Sequence, residues 1–268
     1  MSPVKAIKTF RDLLSFLTII PVGGKEDFVF TAADHMYLFP VVGAFIGILA
    51  AIYFTGSNII LHFFLGLTNP FIALPTDLLS KLFVAAMTMA FLLVLTGLQH
   101  FDGLIDLGNT IGLRNVQDRK MVAHAWTVTN WGALLAIIVE LTAFGGLFLI
   151  NELFAFGAII AAELSAKLAM VTIVWVGKPT HKGLGSIFIK RAKKKLNIIA
   201  YALSVLIVYP FLGFLGVGAV LVSIPVAFVM EKIAEKVFGG VSGDMIGATN
   251  EVARAVTLIS IVGVLMLI

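Results

Sequence analysis

The sequence contains no cysteine and few charged residues. Of its 268 residues, 13% are charged and 60% are hydrophobic, whereas an average soluble domain is about 25% charged and about 45–50% apolar. Without cysteine, thiolate chemistry, iron–sulfur clusters and cysteine-bound zinc are excluded. The shortage of charge argues against a soluble, disordered or disulfide-rich chain. The composition therefore predicts a polytopic membrane protein with little soluble mass.

Apolar runs long enough to cross a bilayer fill most of the chain. We predict an all-α bundle of about seven transmembrane helices, forming a single integral membrane domain over residues 1–268. The predicted spans lie near 37–65, 78–99, 131–150, 153–177, 197–214, 216–231 and 252–268. The two spans between 197 and 231 are also compatible with one broken unit.

The stretch before the first span has a different pattern. Residues 4–20 place apolar side chains at helical spacing and charged side chains off that stripe, which is typical of an amphipathic helix at the membrane surface. The stripe consists of Ile7, Phe10, Leu14 and Leu17.

The positive charges are sorted to one side of the predicted spans. Nearly all of the 19 lysine and arginine residues lie before the first span or in the segments 100–130, 178–196 and 232–254. The positive-inside rule then places the N-terminus and the loops at 100–130, 178–196 and 232–251 in the cytoplasm. Ionisable groups on one side of the cell membrane favour an enzyme with a cytoplasmic site over a transporter. The net charge of +4 does not indicate nucleic-acid binding.

The sharpest polar motif is Thr96–Asn109, after the second predicted span. Its Asp102 and Asp106 are four residues apart, so they share one face of a helix. Hard carboxylate oxygens favour Mg²⁺ or Mn²⁺, and Mg²⁺ commonly shares its ligand shell with substrate phosphates. Gly103 would let a phosphate approach the backbone. The motif suggests phosphoryl chemistry on a bulky or lipid-linked substrate; the alternative is a solvated helix end.

A second polar segment, Gly239–Glu251, is rich in glycine. A glycine-rich and serine-rich turn that feeds a helix can offer backbone N–H groups to a phosphate. Asp244 and Glu251 are seven residues apart and would share a helix face. The alternative is a connecting loop in which Asp244 caps the following helix.

A third segment places basic side chains beside glycines, and a charged pair lies inside a predicted span. Lysine and histidine beside the glycines of Lys178–Ser186 could clamp a diphosphate, whereas the cations of 190–195 are ordinary topology signals. Glu163 and Lys167 form an i,i+4 pair, which is either a functional site or a mutually neutralising pair in the bundle.

Five segments of the chain together resemble one known family over nearly the full length. They are Leu14–Val22, Phe39–Gly47, Leu95–Asp106, Gly183–Ile189 and Gly239–Glu251. In this order on a membrane protein of this size, they resemble the cobalamin synthases, or adenosylcobinamide-GDP ribazoletransferases. The resemblance implies a Mg²⁺-dependent membrane enzyme, with Mn²⁺ as a substitute. It would join adenosylcobinamide-GDP to α-ribazole or its 5′-phosphate with release of GMP.

The resemblance also implies roles for particular residues. We expect His100, Asp102 and Asp106 to be catalytic, with His100 as a candidate base. The expected metal ligands are Asp102, Asp106, Asn109, Asp244 and Glu251, where Asn109 stands at a position that is usually acidic in the family. The expected substrate contacts are Gly103, Lys167, Lys178, His181, Lys182, Gly183, Gly185, Ser242, Gly243 and Asn250.

Other functions remain open at this stage. A CDP-alcohol phosphotransferase shares the membrane setting and an acidic Asp-Gly motif, but the rest of its pattern is missing here. A diverged, non-catalytic corrinoid-binding scaffold is the other alternative. The expected partners are membrane lipids and other corrinoid-assembly enzymes. Small residues such as Gly43 and Gly47, which permit close helix packing, leave room for a homo-oligomer.

Overall fold

The computed structural model of the chain describes residues 3–23, 27–68, 74–123, 125, 127–180, 183–192 and 194–267. Within these residues the chain forms twelve α-helices and two short 3₁₀ turns, and no β-strand. The helices are α1 (Pro3–Leu17), α2 (Phe28–Asp34), α3 (Phe39–Thr68), α4 (Thr76–Leu95), α5 (Gln99–Asn109), α6 (Val116–Ala123), α7 (Asn130–Leu149), α8 (Glu152–Val176), α9 (Leu184–Arg191), α10 (Asn197–Leu221), α11 (Ser223–Phe238) and α12 (Gly243–Leu265). The predicted all-α class is confirmed.

Six helical segments in the described part of the chain are long and apolar enough to cross a membrane. They are Met36–Thr68, Thr76–Leu95, Asn130–Leu149, Glu152–Val176, Asn197–Phe238 and Gly243–Leu265. Exposed isoleucine, leucine and phenylalanine side chains cover the outward faces of α3, α4 and α7, as expected of helices in contact with lipid. The protein is therefore a multi-pass membrane protein.

Helix α8 forms the centre of the bundle. It is buried along nearly its whole length and packs against α3, α10, α11 and α12. A Cβ atom on Gly43 would lie 2.6 Å from the carbonyl oxygen of Glu163, and one on Gly47 would lie 2.7 Å from the Cα of Ile160. Such distances are too short for any side chain, so these glycines allow the close packing of α3 on α8 that their spacing predicts.

Helices α10 and α11 run the length of the bundle and back. The ring of Tyr201 lies 5.9 Å from Trp175 near the end of α8, and that of Phe211 lies 6.1 Å from Phe156 near its start. Gly213 then has φ +55° and ψ −139°, a conformation that glycine adopts most readily. Helix α11 returns to the end of the bundle where α8 finishes. These two helices count as one long span or as two crossings, the alternative that the sequence left open.

Several helix boundaries differ from the predicted spans, with α11 (Ser223–Phe238) in place of 216–231, and two further differences affect the site. Helix α4 ends at Leu95 rather than near 99, because Gly97 and Leu98 both have positive φ angles and turn the chain into α5. Helix α12 begins at Gly243 rather than at 252, so the predicted loop at 232–251 consists of the end of α11, a short connection and the first turns of α12. Glycine is a poor helix former, but here the glycines face neighbouring backbones.

Candidate active site

Helix α5 presents the two aspartates of the first polar motif at one end of the bundle. Asp102 is exposed and Asp106 is half-buried, while Gly103 and Leu104 between them face the interior. The helix is amphipathic because its apolar positions recur at helical spacing. Both carboxylates therefore lie on the side of α5 that faces away from the interior, on one helix face as predicted.

Asp244 from the start of α12 joins these two aspartates. The hydroxyl of Ser242 accepts a hydrogen bond from the backbone N–H of Met245 at 3.2 Å and donates one to Oδ2 of Asp244 at 3.2 Å. Ser242 therefore caps α12 and fixes the Asp244 carboxylate. A Cβ on Gly103 would lie only 2.4 Å from the carbonyl oxygen of Asp244, so the two helix backbones touch where α5 has no side chain.

The third polar segment meets the same place. A Cβ on Gly185 would lie 2.7 Å from the carbonyl carbon of Ser242. The backbone N–H of Val241 donates to the carbonyl oxygen of Lys178 at 2.7 Å, and the Thr180 hydroxyl donates to a carbonyl oxygen at the end of α11. The structure therefore brings together all three motifs that the sequence singled out, and glycine makes each close approach possible.

Asp102, Asp106 and Asp244, here called the acidic group, repel one another. Burial, together with the charges of Asp244 and Asp102, raises the pKa of Asp106 to about 7. None of the three carboxylates forms an ion pair with any residue that the structure describes. In that part of the chain no three histidine, aspartate or glutamate side chains converge closely enough to hold a metal ion by themselves. A cation would be held by one or two carboxylates and by substrate oxygens.

His100 lies on the inner side of the acidic group. Its side chain is buried, with 5% of its surface exposed, and it lines a cavity of about 300 Å³ together with Gly183, Gly243, Asp244 and other residues. Burial lowers the pKa of His100 well below its usual range, and the charge of Lys167 lowers this pKa further. The imidazole is therefore neutral at neutral pH.

Four buried charged residues, Glu163, Lys167, Glu251 and Arg254, form a separate ionic cluster deeper in the bundle. Arg254 Nε lies 2.5 Å from Oε1 of Glu163, and its Nη1 donates to Glu251. Lys167 Nζ lies 3.6 Å from Glu163 and donates to Oδ1 of Asn250 at 2.6 Å. All are at most 1% exposed. The cluster joins α8 to α12.

Three residues that the sequence predicted to bind metal or substrate make their contacts in or beside this cluster instead. Glu251, predicted to bind metal with Asp244, instead binds Arg254 and accepts a hydrogen bond from Asn250 at 3.1 Å. Lys167 and Asn250, predicted to contact substrate, donate to partners within the cluster. The structure thus does not bring these three together with the acidic group, because seven residues of helix separate Glu251 from Asp244 by about 10 Å.

Asn109 also has its hydrogen-bonding groups in use. Its Oδ1 accepts from the backbone N–H and the hydroxyl of Thr129, both at 2.9 Å, and its Nδ2 donates to the carbonyl oxygen of Thr127 at 2.8 Å. The side chain is 3% exposed. Asn109 therefore fastens the end of α5 to the start of α7, rather than lying at the open face with Asp102.

The remaining predicted residues differ in position. Gly183 and Gly243 line the cavity. The side chain of Lys178 is exposed, at the point where its carbonyl oxygen accepts the hydrogen bond from Val241. His181 and Lys182 lie outside the described residues. Sequence reasoning missed Arg254, which was counted as a cytoplasmic loop cation but is fully buried. Its spacing of three residues from Glu251 was a signal for an ion pair on one helix.

Comparison with known proteins gives a consistent answer. The sequence model of the family described as cobalamin-5-phosphate synthase matches residues 9–262. An adenosylcobinamide-GDP ribazoletransferase of Haloquadratum walsbyi is 31% identical over 94% of this chain and 96% of its own length. The enzyme with that name from Methanocella arvoryzae is 30% identical over 92% of this chain and 92% of its own length. The one from Methanosarcina barkeri is 28% identical over 96% of this chain and 92% of its own length. No solved structure matches the chain.

Proposed function

Because the chain belongs to the cobalamin-5-phosphate synthase family, we propose that it is a membrane-bound adenosylcobinamide-GDP ribazoletransferase. It joins adenosylcobinamide-GDP to α-ribazole or its 5′-phosphate and releases GMP. A ribazole hydroxyl oxygen bonds to the phosphorus on the cobinamide side. The bond from that phosphorus to the bridging oxygen breaks, GMP leaves with that oxygen, and the hydroxyl proton is released.

The observation that carries this proposal is the acidic group. Two helices place Asp102, Asp106 and Asp244 close enough for the charges of Asp244 and Asp102 to add to the effect of burial, and together these raise the pKa of Asp106 to about 7. A folded protein keeps like charges together at a cost in stability, and such sites are commonly functional. Phosphoryl transfer depends on alignment and charge neutralisation more than on covalent catalysis. The acidic group supports this chemistry at one end of the bundle.

The donor set fits Mg²⁺ that is shared with the substrate. Mg²⁺ prefers oxygen ligands, keeps several waters, and is usually bound by one or two carboxylates together with substrate phosphates. One or two carboxylates of the acidic group (Asp102, Asp106 and Asp244) would hold it together with substrate oxygens, and it would neutralise the diphosphate charge when bound. Glu251 and Asn109 are left out of this set because their polar atoms have partners within the protein.

The chain's own residues then orient the substrates. The start of α12 at Gly243 and that of α9 at Leu184 both line the cavity, and helix N-termini offer backbone N–H groups to phosphate oxygens. Ser242 keeps the Asp244 carboxylate in place. The neutral imidazole of His100 lies on the cavity side and can exchange hydrogen bonds with the acceptor nucleoside.

We also propose that this end of the bundle faces the cytoplasm. The positive-inside rule supports that orientation, since the basic segments 100–130 and 178–196 connect helices at the end where the acidic group lies. The soluble substrate α-ribazole would then reach the site from the cytoplasm, at the inner face of the cell membrane.

Purified protein in detergent tests the proposed function directly. We expect GMP release from adenosylcobinamide-GDP only when α-ribazole or its phosphate and Mg²⁺ are both present, and loss of release with EDTA. Asp102→Asn should abolish release while the protein still inserts and purifies normally. The matched control is Asp77→Asn, an exposed aspartate in the first turn of α4, at the opposite end of a helix about 30 Å long.

Two outcomes would contradict the proposal. Undiminished turnover by Asp102→Asn would remove this residue from the mechanism. Tight corrinoid binding with no GMP release under any condition would support the scaffold alternative. The family match does not favour a CDP-alcohol phosphotransferase, and incubation with CDP-linked alcohols should give no product.

A further inference from the structure

The cavity beside the acidic group has an aromatic wall that none of the predicted roles explains. Phe16 from α1, Phe39 from α3 and Phe188 from α9 line it together with His100 and Asp244. Phe39 and Phe188 are buried, with 0% and 2% of their surface exposed. Three helices that are distant in sequence thus contribute one phenyl ring each to the same side of the cavity.

These three rings form one continuous surface. The centroids of Phe16 and Phe188 are 5.0 Å apart with planes inclined by 34°, and Phe39 lies 6.0 Å from Phe188 and 6.1 Å from Phe16. Met170 from α8 lines the same cavity. Aromatic and thioether groups make favourable contacts with a further flat ring in stacked or edge-to-face arrangements. The wall therefore suits a planar, apolar ligand.

Of the polar side chains among the described residues that line the cavity, Gln99 is exposed, Asp244 is half-buried and only His100 is buried. Nε2 of His100 is buried and has no hydrogen-bond partner among the described residues. Buried polar side-chain atoms nearly always have such a partner, so one that lacks it within a cavity points to a ligand with a complementary polar atom. Gly247, which also lines the cavity, approaches the backbone of His100 and leaves this side without a covering side chain.

The size and position of the cavity limit what it binds. Its volume of about 300 Å³ is at the lower end of the range for ligand cavities, which suits one fused ring system and excludes a corrin macrocycle. Guanine carries amide and amino groups that need several partners, whereas the buried part of the described lining supplies one polar side chain, that of His100. Asp244 lines the cavity and also belongs to the acidic group. A nucleobase bound in the cavity would therefore place its attached ribose next to the reacting phosphate.

We infer that this cavity binds the flat, apolar base of the ribazole acceptor. Phe16, Phe39 and Phe188 lie against the rings of this base, and Nε2–H of His100 donates a hydrogen bond to its free ring nitrogen. This inference rests on the proposed function, because it assigns one of that reaction's two substrates to a defined subsite. It gives Phe16, Phe39 and Phe188 a role in selecting the acceptor. It also makes His100 a hydrogen-bond partner of the ribazole nucleobase.

Kinetics of matched variants test the aromatic wall. We expect Phe188→Leu and Phe16→Leu to raise KM for α-ribazole by about tenfold, and to leave KM for adenosylcobinamide-GDP and kcat at saturating ribazole within twofold. Phe63→Leu is the control, because Phe63 is 63% exposed on the outer face of α3. A rise in KM for the GDP substrate, with no change for ribazole, would instead assign the cavity to guanine and overturn the inference.

A pair of small probes tests the His100 contact without turnover. 1-Methylbenzimidazole and 1-methylindole have the same shape, but only the first has a free ring nitrogen. We expect 1-methylbenzimidazole to displace α-ribazole from the wild type at about tenfold lower concentration than 1-methylindole, because a site that hydrogen-bonds its ligand rejects an analogue without that group. His100→Leu should remove this preference, and a purely structural role of His100 would leave it in place.

The two proposals fail in different ways. An absence of GMP release by the wild type contradicts the proposed function, whereas normal release with ribazole kinetics unaffected by the phenylalanine variants contradicts only this inference. Should the variants fail to fold, displacement by the two probes on the wild-type protein still decides it. No displacement of α-ribazole by either probe, or stronger displacement by guanosine, would overturn the inference.

Discussion

Helix α12 carries two groups of charged side chains that are arranged in opposite ways. At its start, Asp244 faces Asp102 and Asp106, and within the described chain no cation pairs with this acidic group. Two turns further on, Glu251 belongs to the ionic cluster, where Arg254 pairs with two carboxylates. The same residue types therefore repel one another at the open end of the bundle and neutralise one another in its interior.

The difference shows where the protein needs an external partner. In the ionic cluster the protein supplies the opposite charges itself, so the cluster fastens α8 to α12 and leaves little for a ligand to do. In the acidic group the described residues supply no opposite charge, and the proposed function assigns that role to a cation that accompanies the diphosphate. Removing one member should therefore damage stability in the ionic cluster and activity in the acidic group.

Replacement of Arg254 should have the largest effect on folding. Arg254→Met leaves buried Glu251 without its cation and buried Glu163 with Lys167 alone, and breaking a buried ion pair costs about 3–5 kcal/mol. We expect a marked fall in the unfolding temperature in detergent. Lys232→Met is the control, because Lys232 pairs with Glu231 and Glu235 at the surface and should change stability by about 0.5 kcal/mol or less. Similar unfolding temperatures for both variants would contradict the comparison.

Replacement of Asp106 should have the opposite profile. Asp106→Asn removes a charge that Asp102 and Asp244 repel, so the unfolding temperature should stay the same or rise. GMP release should fall about 100-fold or more, the usual cost of losing a group that stabilises transition-state charge. An equally active variant, or an inactive one that is also strongly destabilised, would show that Asp106 has a structural role.

A methyl group between α5 and α12 should have a smaller effect. Gly103→Ala places a Cβ 2.4 Å from the carbonyl oxygen of Asp244, so α5 must move away from α12, at a cost of about 1–3 kcal/mol. We expect turnover to fall about tenfold, because positioning contributes strongly to catalysis. Gly145→Ala in α7, where a Cβ meets no atom within 4 Å, should retain full turnover. Equal kinetics of the two variants would separate the helix contact from the site.

The smallest effect concerns pH. The pKa of Asp106 is raised from 3.8 to about 7 in the folded protein, so the folded state binds this proton more tightly than the unfolded chain does. Stability from this group is therefore greatest at low pH and decreases as pH rises from about 4 to about 7. In EDTA, the unfolding temperature should fall over that range. Asp106→Asn or saturating Mg²⁺ should flatten the fall, and an equally steep fall in the variant would contradict this cause.

The sequence predicted those features of the site that depend on neighbouring residues in the chain. The spacing of Asp102 and Asp106 implies a shared helix face whatever the fold, and the apolar runs determine most of the spans. The sequence also singled out Asp244 and Gly103, but not their contact. Gly103 meets Asp244 across 141 residues of chain, and no local pattern encodes which helix backbones touch.

The predictions for buried polar residues depended on tertiary packing. Lys167 was predicted to hold a ligand because a charge in the membrane is a functional candidate by default, and Glu251 and Asn250 because they belong to Gly239–Glu251, one of the segments that carry the family resemblance. Arg254, the actual partner of Glu251, lies on the same helix, but the predicted start of the span at 252 placed it beside a loop. Asn109 looked like a metal ligand by its position in the motif, whereas its partner Thr129 is 20 residues away.

Titration with Mn²⁺, followed by electron paramagnetic resonance, tests the central claim most directly. The wild-type protein with the diphosphate substrate should bind Mn²⁺ in competition with Mg²⁺. Asp102→Asn, Asp106→Asn and Asp244→Asn should each weaken that binding about tenfold or more, whereas Asp77→Asn should leave it unchanged. Mn²⁺ binding that is indifferent to all three replacements in the acidic group would contradict the account.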